Sequence, residues 1–208
     1  ELIYTSYDDY VPLIYESAVK LGIKTTSDEG LPITFTRCGR AVLGLIAWIA
    51  SNYEAIKFRQ LLTGGCLNMQ AAVSEDYIPS PAVMGRIIRE SGIGWERARF
   101  LPVLKKMQAL YAAELSDEEA NGEKKELHKI KAANARFLVG IIDDIFSFIP
   151  EADKNEMVSI SELCIGVMKF NDKYSRISDE LDAEAKSAIK NLLDETARFT
   201  EQKVELHE

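Results

Sequence analysis

Histidine and cysteine, which supply many catalytic and metal-binding side chains, are scarce in this chain of 208 residues. The two histidines, His128 and His207, are too few for a multi-histidine metal site and do not indicate a histidine-based catalytic triad. The three cysteines, Cys38, Cys66 and Cys164, share no metal-ligand spacing. Their odd number and wide separation are typical of reduced, buried thiols. We therefore expect no metal site and a cytoplasmic location.

Long apolar runs and nucleotide-binding motifs are also missing. The longest apolar run, Ala41–Ala50, has ten residues and fits a buried helix rather than a membrane span. The chain contains neither the Gly-x4-Gly-Lys-Ser/Thr loop that holds phosphates nor the dinucleotide fingerprint. A nuclease would be indicated by an acidic pair with a following lysine, and we find no such pattern in the sequence. The sequence therefore predicts no catalytic residue, no cofactor and no contact with a membrane.

The distribution of charge is uneven. A net charge of −8 argues against nucleic-acid binding over the whole surface. The window from Pro81 to Met107, however, holds six basic residues against two acidic ones, which leaves the remainder of the chain at −12. This window is the largest positive excursion in the sequence and the place to look for an anionic partner.

Hydrophobic periodicity predicts a mainly helical fold, a multi-helix bundle with a small strand–helix–strand element at its N-terminus. The opening residues 1–6 have strand character, and Asp8 or Asp9 is expected to cap a helix that ends at Leu21. Residues 23–36 are interpreted as two extended pieces around a turn at Asp28-Glu29-Gly30. We assign residues 1–35 to this small element and residues 36–208 to a helical domain.

The helical domain is marked by caps and stops. Thr36 is expected to cap the apolar helix that ends near Ile49, and Ser80 with Pro81 begins a helix that runs to about Glu90. Another helix is predicted from about Trp95 to Glu114. A polar loop is expected near residues 115–125. Three further helices follow: one before Pro150, one after it, and an acidic one at the end of the chain.

The stretch between two of these helices, RIIRESGIGWERARFL at residues 86–101, is the candidate site. A helix, a Gly-hydrophobic-Gly turn and a second helix form the pattern of a helix-hairpin-helix, whose backbone amides face one phosphate irrespective of base sequence. Nearby arginines can flank the same phosphate backbone. The predicted DNA-backbone contacts are therefore Arg89, Gly92, Ile93, Gly94, Arg97 and Arg99. In the alternative interpretation, Gly92 is a helix C-cap, Gly94 allows close packing, and the arginines are ordinary surface residues.

Residues 2–105 resemble the region that follows the fourth helicase motif in superfamily I helicase-related proteins. The resemblance is to the inactivated helicase module of AddB-type helicase–nuclease subunits. It is carried by Tyr7, Tyr10, Pro12, Leu21-Gly22-Ile23, Gly30, Pro32, Thr36, Gly39-Arg40-Ala41 and Trp48. The segment Ser-Gly-Ile-Gly-Trp resembles a Gly-Ile-Gly turn that touches the duplex backbone in active relatives. Three residues depart from the family pattern: Cys38 instead of proline, Ser91 instead of arginine, and the acidic Glu96.

The resemblance implies a non-catalytic helical domain of a larger DNA repair or recombination protein. Because the chain also starts without methionine, we expect it to be an internal piece of such a protein. Its partners would be duplex or forked DNA, the remainder of the parent chain, and a helicase or nuclease subunit. The domain would serve as a scaffold with a sequence-independent DNA-backbone contact.

Two other functions remain open from the sequence. One is a helical module that binds proteins and not DNA. The other is a Mg²⁺-dependent prenyl-diphosphate enzyme, because residues 143–147 (DDIFS) and 171–179 (NDKYSRISD) resemble the two metal-binding motifs of class I terpene synthases. Asn171, Ser175 and Asp179 lie four residues apart and would share one helix face. The first motif departs from that family by ending in Ser147.

Overall fold

The fold is known from a computed structural model that describes residues 6–25, 30–72, 77–114, 122–154 and 157–205. These residues form eight α-helices, two short 3₁₀-helices (Ile33–Phe35 and Met69–Ala72) and one two-stranded sheet. The mainly helical prediction is confirmed. The helices are α1 Tyr7–Leu21, α2 Arg37–Ala50, α3 Ala55–Thr63, α4 Pro81–Glu90, α5 Arg97–Glu114, α6 Gly122–Phe148, α7 Ile160–Tyr174 and α8 Glu180–Phe199.

The predicted strand–helix–strand element at the N-terminus is wrong. Residues 1–5 and 26–29, which include most of the first predicted strand and of the turn, lie outside the described residues. The second predicted strand is a 3₁₀-helix, Ile33–Phe35, because Phe35 and Thr36 donate their amides to carbonyls three residues back. The strands found, β1 (Met157–Ser159) and β2 (Lys203–Glu205), pair antiparallel near the other end of the chain.

The polar segment predicted as a loop near residues 115–125 is partly helical. Residues 115–121 lie outside the described residues, and α6 already begins at Gly122. Residues 123–126 are Glu-Lys-Lys-Glu, which are good helix formers despite their polarity. Polarity alone therefore placed the helix start too late. The resulting α6 is 27 residues long and packs along α5.

An aromatic cluster centred on Trp48 of α2 joins four helices. The indole is fully buried and stacks on Phe58 of α3, with 4.3 Å between ring centroids. It meets Phe100 of α5 edge-on at 5.2 Å and lies parallel to Phe146 of α6 at 5.6 Å. Tyr53, from the connection between α2 and α3, covers another edge at 5.3 Å. These contacts make Trp48 a packing residue and fix the relative positions of α2, α3, α5 and α6.

The start of α2 depends on the spacing of two residues, Thr36 and Gly39. Thr36 accepts the amide of Gly39 at 2.9 Å, which is the predicted N-cap, and donates its hydroxyl to the carbonyl of Ile33 at 2.8 Å. A side chain at Gly39 would place its Cβ 1.9 Å from that same carbonyl oxygen. The Thr-x-x-Gly spacing is therefore required for the 3₁₀-helix to pack on the first turn of α2.

The helix α1 contributes little to this core. Among its described side chains only Val11 and Ala18 are buried, and neither belongs to the central cluster. The described apolar residues Tyr10, Leu13, Val19 and Leu21 are exposed. The division of the chain at residues 35 and 36 into a small element and a helical domain stays a prediction.

A buried carboxylate, that of Asp182 near the start of α8, holds the N-termini of α2 and α8 together. It accepts hydrogen bonds from the amide and guanidinium of Arg37 at 2.7 and 3.1 Å. It also accepts the amide and hydroxyl of Ser178 at 3.1 and 2.9 Å. Burial alone would raise the pKa of Asp182, but these donors outweigh it and hold the pKa below its usual value.

We expect the variant Asp182→Asn to lower the free energy of unfolding by about 2 kcal/mol at pH 7, because an amide replaces a carboxylate among donors. The folded-state pKa of Asp182 lies below the unfolded value of about 3.9. Its contribution is therefore complete above about pH 4 and is lost as the pH falls through the folded pKa. Denaturant titrations at several pH values should show the difference between the two proteins shrink in acid. A difference that persists at low pH would contradict this assignment.

Candidate nucleic-acid interface

The turn between α4 and α5 begins with a helix C-terminus of ordinary geometry. The amide of Ser91 donates to the carbonyl of Ile87, and Gly92 follows with φ 70°, the left-handed conformation that favours glycine. The hydroxyl of Ser91 donates to the carbonyl of Ile88 at 2.7 Å and accepts the amide of Ile93 at 3.2 Å. Ser91, which stands where the family pattern has arginine, therefore ties the turn to α4.

The second half of the turn is anchored to the connection between α2 and α3. Ile93 is only 6% exposed and belongs to the central cluster. The carbonyl of Gly94 accepts the amide of Ala55 at 2.9 Å, and the amide of Glu96 donates to the carbonyl of Asn52 at 2.9 Å. No atom lies within 4 Å of a Cβ built on Gly94, so close packing does not require glycine there. The backbone of the turn is therefore held in a fixed position against the core.

Arg97, one of the predicted DNA contacts, is engaged inside the protein. Its guanidinium donates to the carbonyls of Phe146 and Pro150 at 2.7 and 2.9 Å, and lies 4.9 Å from the centre of the Phe146 ring. The side chain is 19% exposed. It thus satisfies carbonyls at the C-terminus of α6, where a cation is also favoured by the helix dipole. The geometry gives Arg97 a structural role.

Arg89 and Arg99 are the predicted cations that face solvent. Both are exposed, and within the described ranges neither forms an ion pair. The guanidinium carbon of Arg99 lies 5.5 Å from the centre of the Trp95 ring. Trp95 itself is 53% exposed, whereas Trp48 is fully buried.

The first turn of α5 offers backbone donors beside these arginines. Of the amides of Arg97, Ala98 and Arg99, only that of Arg99 has a backbone acceptor in the described part of the chain, the carbonyl of Glu96 at 3.1 Å. Free amides at a helix N-terminus favour an anion. Glu96 is exposed, has φ 72° and opposes such an anion with its own charge.

An open depression of about 580 Å³ lies beside the turn. One side of the depression comes from the connection between α2 and α3 and from the start of α3. Its side chains, which were not identified from the sequence, include Ser51, Asn52, Glu54 and Ile56. The turn contributes Ile93 and Trp95. Sequence reasoning missed this depression because its two sides are about 40 residues apart in the chain.

The two segments that resemble metal-binding motifs are engaged with other protein groups. Asp144 accepts hydrogen bonds from the ammonium of Lys173 and the hydroxyl of Tyr174, both at 2.7 Å. Burial, followed by this hydrogen bond to Asp144, raises the pKa of Tyr174. The side chain of Asn171 is fully buried and accepts the hydroxyl of Ser175 at 2.6 Å. Asp144 and Asn171 therefore each have protein partners within the described residues.

Three other features considered in the sequence can be compared with the described residues. The three cysteines are buried and unpaired there, and burial raises the pKa of each thiol. Within the same residues no group of three or more His, Cys, Asp or Glu side chains is placed to bind a metal ion. None of the described helices is long and apolar enough to cross a membrane.

Comparisons with protein-family models, with curated proteins and with solved structures gave no match.

We expect Arg97→Ala to lower the free energy of unfolding by about 3 kcal/mol, because two partly buried carbonyls lose a charged donor. Arg99→Ala is the matched control: it removes the same side chain two residues away on an exposed position, and should cost less than about 0.5 kcal/mol. Urea titrations of the two variants and the wild type test this directly. Equal stability losses would show that Arg97 is not the structural residue of the pair.

Proposed function

We propose that the chain is a non-catalytic helical domain that contacts the DNA backbone without reading base sequence. The contact surface is the turn between α4 and α5, with Arg89 on one side and Arg99 on the other. The resemblance of residues 2–105 to helicase-related proteins supports placing this domain in a larger cytoplasmic DNA repair or recombination protein. Its partners there would be the rest of that protein and a helicase or nuclease subunit.

The observation that carries the proposal is the fixed position of the turn between two unpaired arginines. Ile93 is held in the core, and hydrogen bonds from Ala55 and Glu96 hold the backbone on both sides of Trp95. A contact built on a fixed backbone loses little conformational entropy when it binds. Such a surface recognises regularly spaced phosphates through charge and amide donors, and so does not depend on base sequence.

Charge limits the strength of this contact. The chain carries −8 overall, and Glu90 and Glu96 flank the turn. With two arginines directed to solvent, one or two phosphates would be neutralised, so the affinity should be low and should fall with salt. The proposed contact is therefore one that adds to other DNA contacts of a larger assembly.

We expect wild-type protein to bind a blunt DNA duplex at low salt, and Arg89→Ala/Arg99→Ala to weaken this binding. The slope of log affinity against log salt should fall in magnitude by about two, or 0.9 for each lost phosphate contact. Glu96→Gln should have the opposite effect and strengthen binding. Fluorescence anisotropy with a labelled duplex at several salt concentrations measures all three.

The control for this experiment is the pair Lys20→Ala/Arg198→Ala, which removes two cations from α1 and α8. Both residues are in exposed ion pairs within their own helices. This pair changes the net charge by the same amount as the arginine pair, so non-specific electrostatics would affect both equally. Equal losses in the two pairs, or no binding by the wild type at low salt, would contradict the proposal.

A protein-binding module is the second candidate function, and the exposed apolar residues favour it. Leu13, Val19 and Leu21 of α1 are each at least 60% exposed, and Leu192 and Phe199 of α8 are exposed as well. Large exposed apolar side chains of this kind are candidates for contacts with another protein. If the arginine pair leaves DNA behaviour unchanged, these surfaces become the better explanation of what the domain does.

A further inference from the structure

Trp95 differs from the other tryptophan in how the structure uses it. Trp48 is fully buried, whereas Trp95 is 53% exposed at the rim of the open depression. A large aromatic side chain at the surface leaves apolar area in water, which costs free energy unless a partner covers it. The question is what the ring is placed to contact.

The Trp95 backbone is held firmly for an exposed residue. The neighbour on each side makes a hydrogen bond to the connection between α2 and α3: the carbonyl of Gly94 accepts from Ala55, and the amide of Glu96 donates to Asn52. The guanidinium of Arg99 lies over the ring at 5.5 Å from its centre. The ring therefore projects from a fixed backbone, with a cation over one face, so that a ligand would stack on the other face.

The lining of the depression also offers hydrogen-bonding groups. The side-chain amide of Asn52 and the side-chain carboxylate of Glu54 line the depression. Within the described residues neither of these side chains makes a hydrogen bond. An amide supplies both donors and acceptors, and a carboxylate accepts from amino and imino groups. Ile56 and Ile93 supply the apolar part of the lining.

A flat stacking surface, a flanking cation and polar groups at the edge are together the features that bind a nucleobase. The carboxylate of Glu54 disfavours a phosphate inside the depression, so any phosphate would lie on the side of the arginines. Within a duplex both faces of each base are stacked on neighbouring bases. Away from the ends of a duplex, only an unpaired base can therefore present a free face to the indole.

We propose that the depression binds an unpaired nucleobase stacked on Trp95, at the point where a DNA duplex opens into a single strand. This inference rests on the proposed function, since the duplex on the paired side would lie against Arg89 and Arg99. It extends that function from a backbone contact to recognition of a junction. The structural class of the DNA, and not its sequence, would then decide how tightly the domain binds.

The experiment compares two DNAs that share one duplex, one blunt and one with a short single-stranded overhang. Wild-type protein should bind the overhang DNA about tenfold more tightly than the blunt DNA, the effect of stacking one base. Trp95→Ala should remove this preference, so that the variant binds the overhang DNA and the blunt DNA equally tightly. Trp95→Phe should keep part of it, because phenylalanine retains a ring face.

Tryptophan fluorescence gives a second readout of the same event. Because Trp48 is buried in the core, a change on adding DNA reports on Trp95. Stacking should quench the emission of the wild type with the overhang DNA and not with the blunt duplex. Circular dichroism of each variant checks that the fold is retained, as expected for an exposed position.

Four outcomes would overturn the inference, and they separate it from the proposed function. If both DNAs bind equally and the arginine pair weakens both, the backbone contact stands and the base site is wrong. A preference that survives Trp95→Ala also excludes the base site. Loss of blunt-duplex binding in Trp95→Ala would place the ring in the backbone contact instead. If neither DNA binds at low salt, the proposed function and this inference both fail.

Discussion

The packing of aromatic rings around Trp48 is the constraint on which the rest of the structure depends. One indole touches side chains from α3, α5 and α6 and from the connection that carries Tyr53. Helices that are far apart in the chain are thus brought to one point. Removing such a ring would leave a cavity at the junction of four elements, where relaxation is hardest.

The candidate interface is a direct consequence of that packing. Phe146 belongs to the cluster and also lies under the guanidinium of Arg97, so the start of α5 is bound to the end of α6 through the same ring. Asn52, next to Tyr53, accepts the amide of Glu96. The turn is therefore held from two sides by groups that the core positions. Its exposed side chains therefore project from a fixed backbone. The proposed DNA contact needs such a backbone in order to be specific in geometry.

Much of the fold could be predicted from the sequence because its signals are local. Thr36 and Ser80 cap helices as expected, since a cap needs only its own side chain and an amide three residues on. The short strands β1 and β2 were not predicted, because they pair residues more than 40 positions apart and are three residues long. The 3₁₀-helix at Ile33–Phe35 was mistaken for a strand because its β-branched and aromatic residues have that propensity.

The candidate site shows the same limit at the level of single residues. Arg97 and Arg99 are chemically identical and two positions apart, which puts them on different sides of a helix. From the sequence, both were predicted to contact the DNA backbone. The structural role of Arg97 could not be seen there, because its acceptors lie about 50 residues further along the chain. The exposure of Trp95 could not be predicted either. Its neighbours are held by the connection between α2 and α3, and this bonding directs the backbone away from the core.

Splitting two nearby arginines between the core and the surface has a consequence for how an acidic protein can contact DNA. Charges are screened beyond about 8–10 Å at physiological ionic strength, so the acidic α8 matters less to the turn than Glu90 and Glu96 do. Of the six basic residues between Pro81 and Met107, all of which the structure describes, only Arg97 is not exposed. Because Arg97 fixes the turn, the proposed DNA contact would use Arg89 and Arg99 for orientation more than for affinity. The proposed contact would then rely on a larger assembly for affinity, and would contribute to it a surface with a fixed backbone.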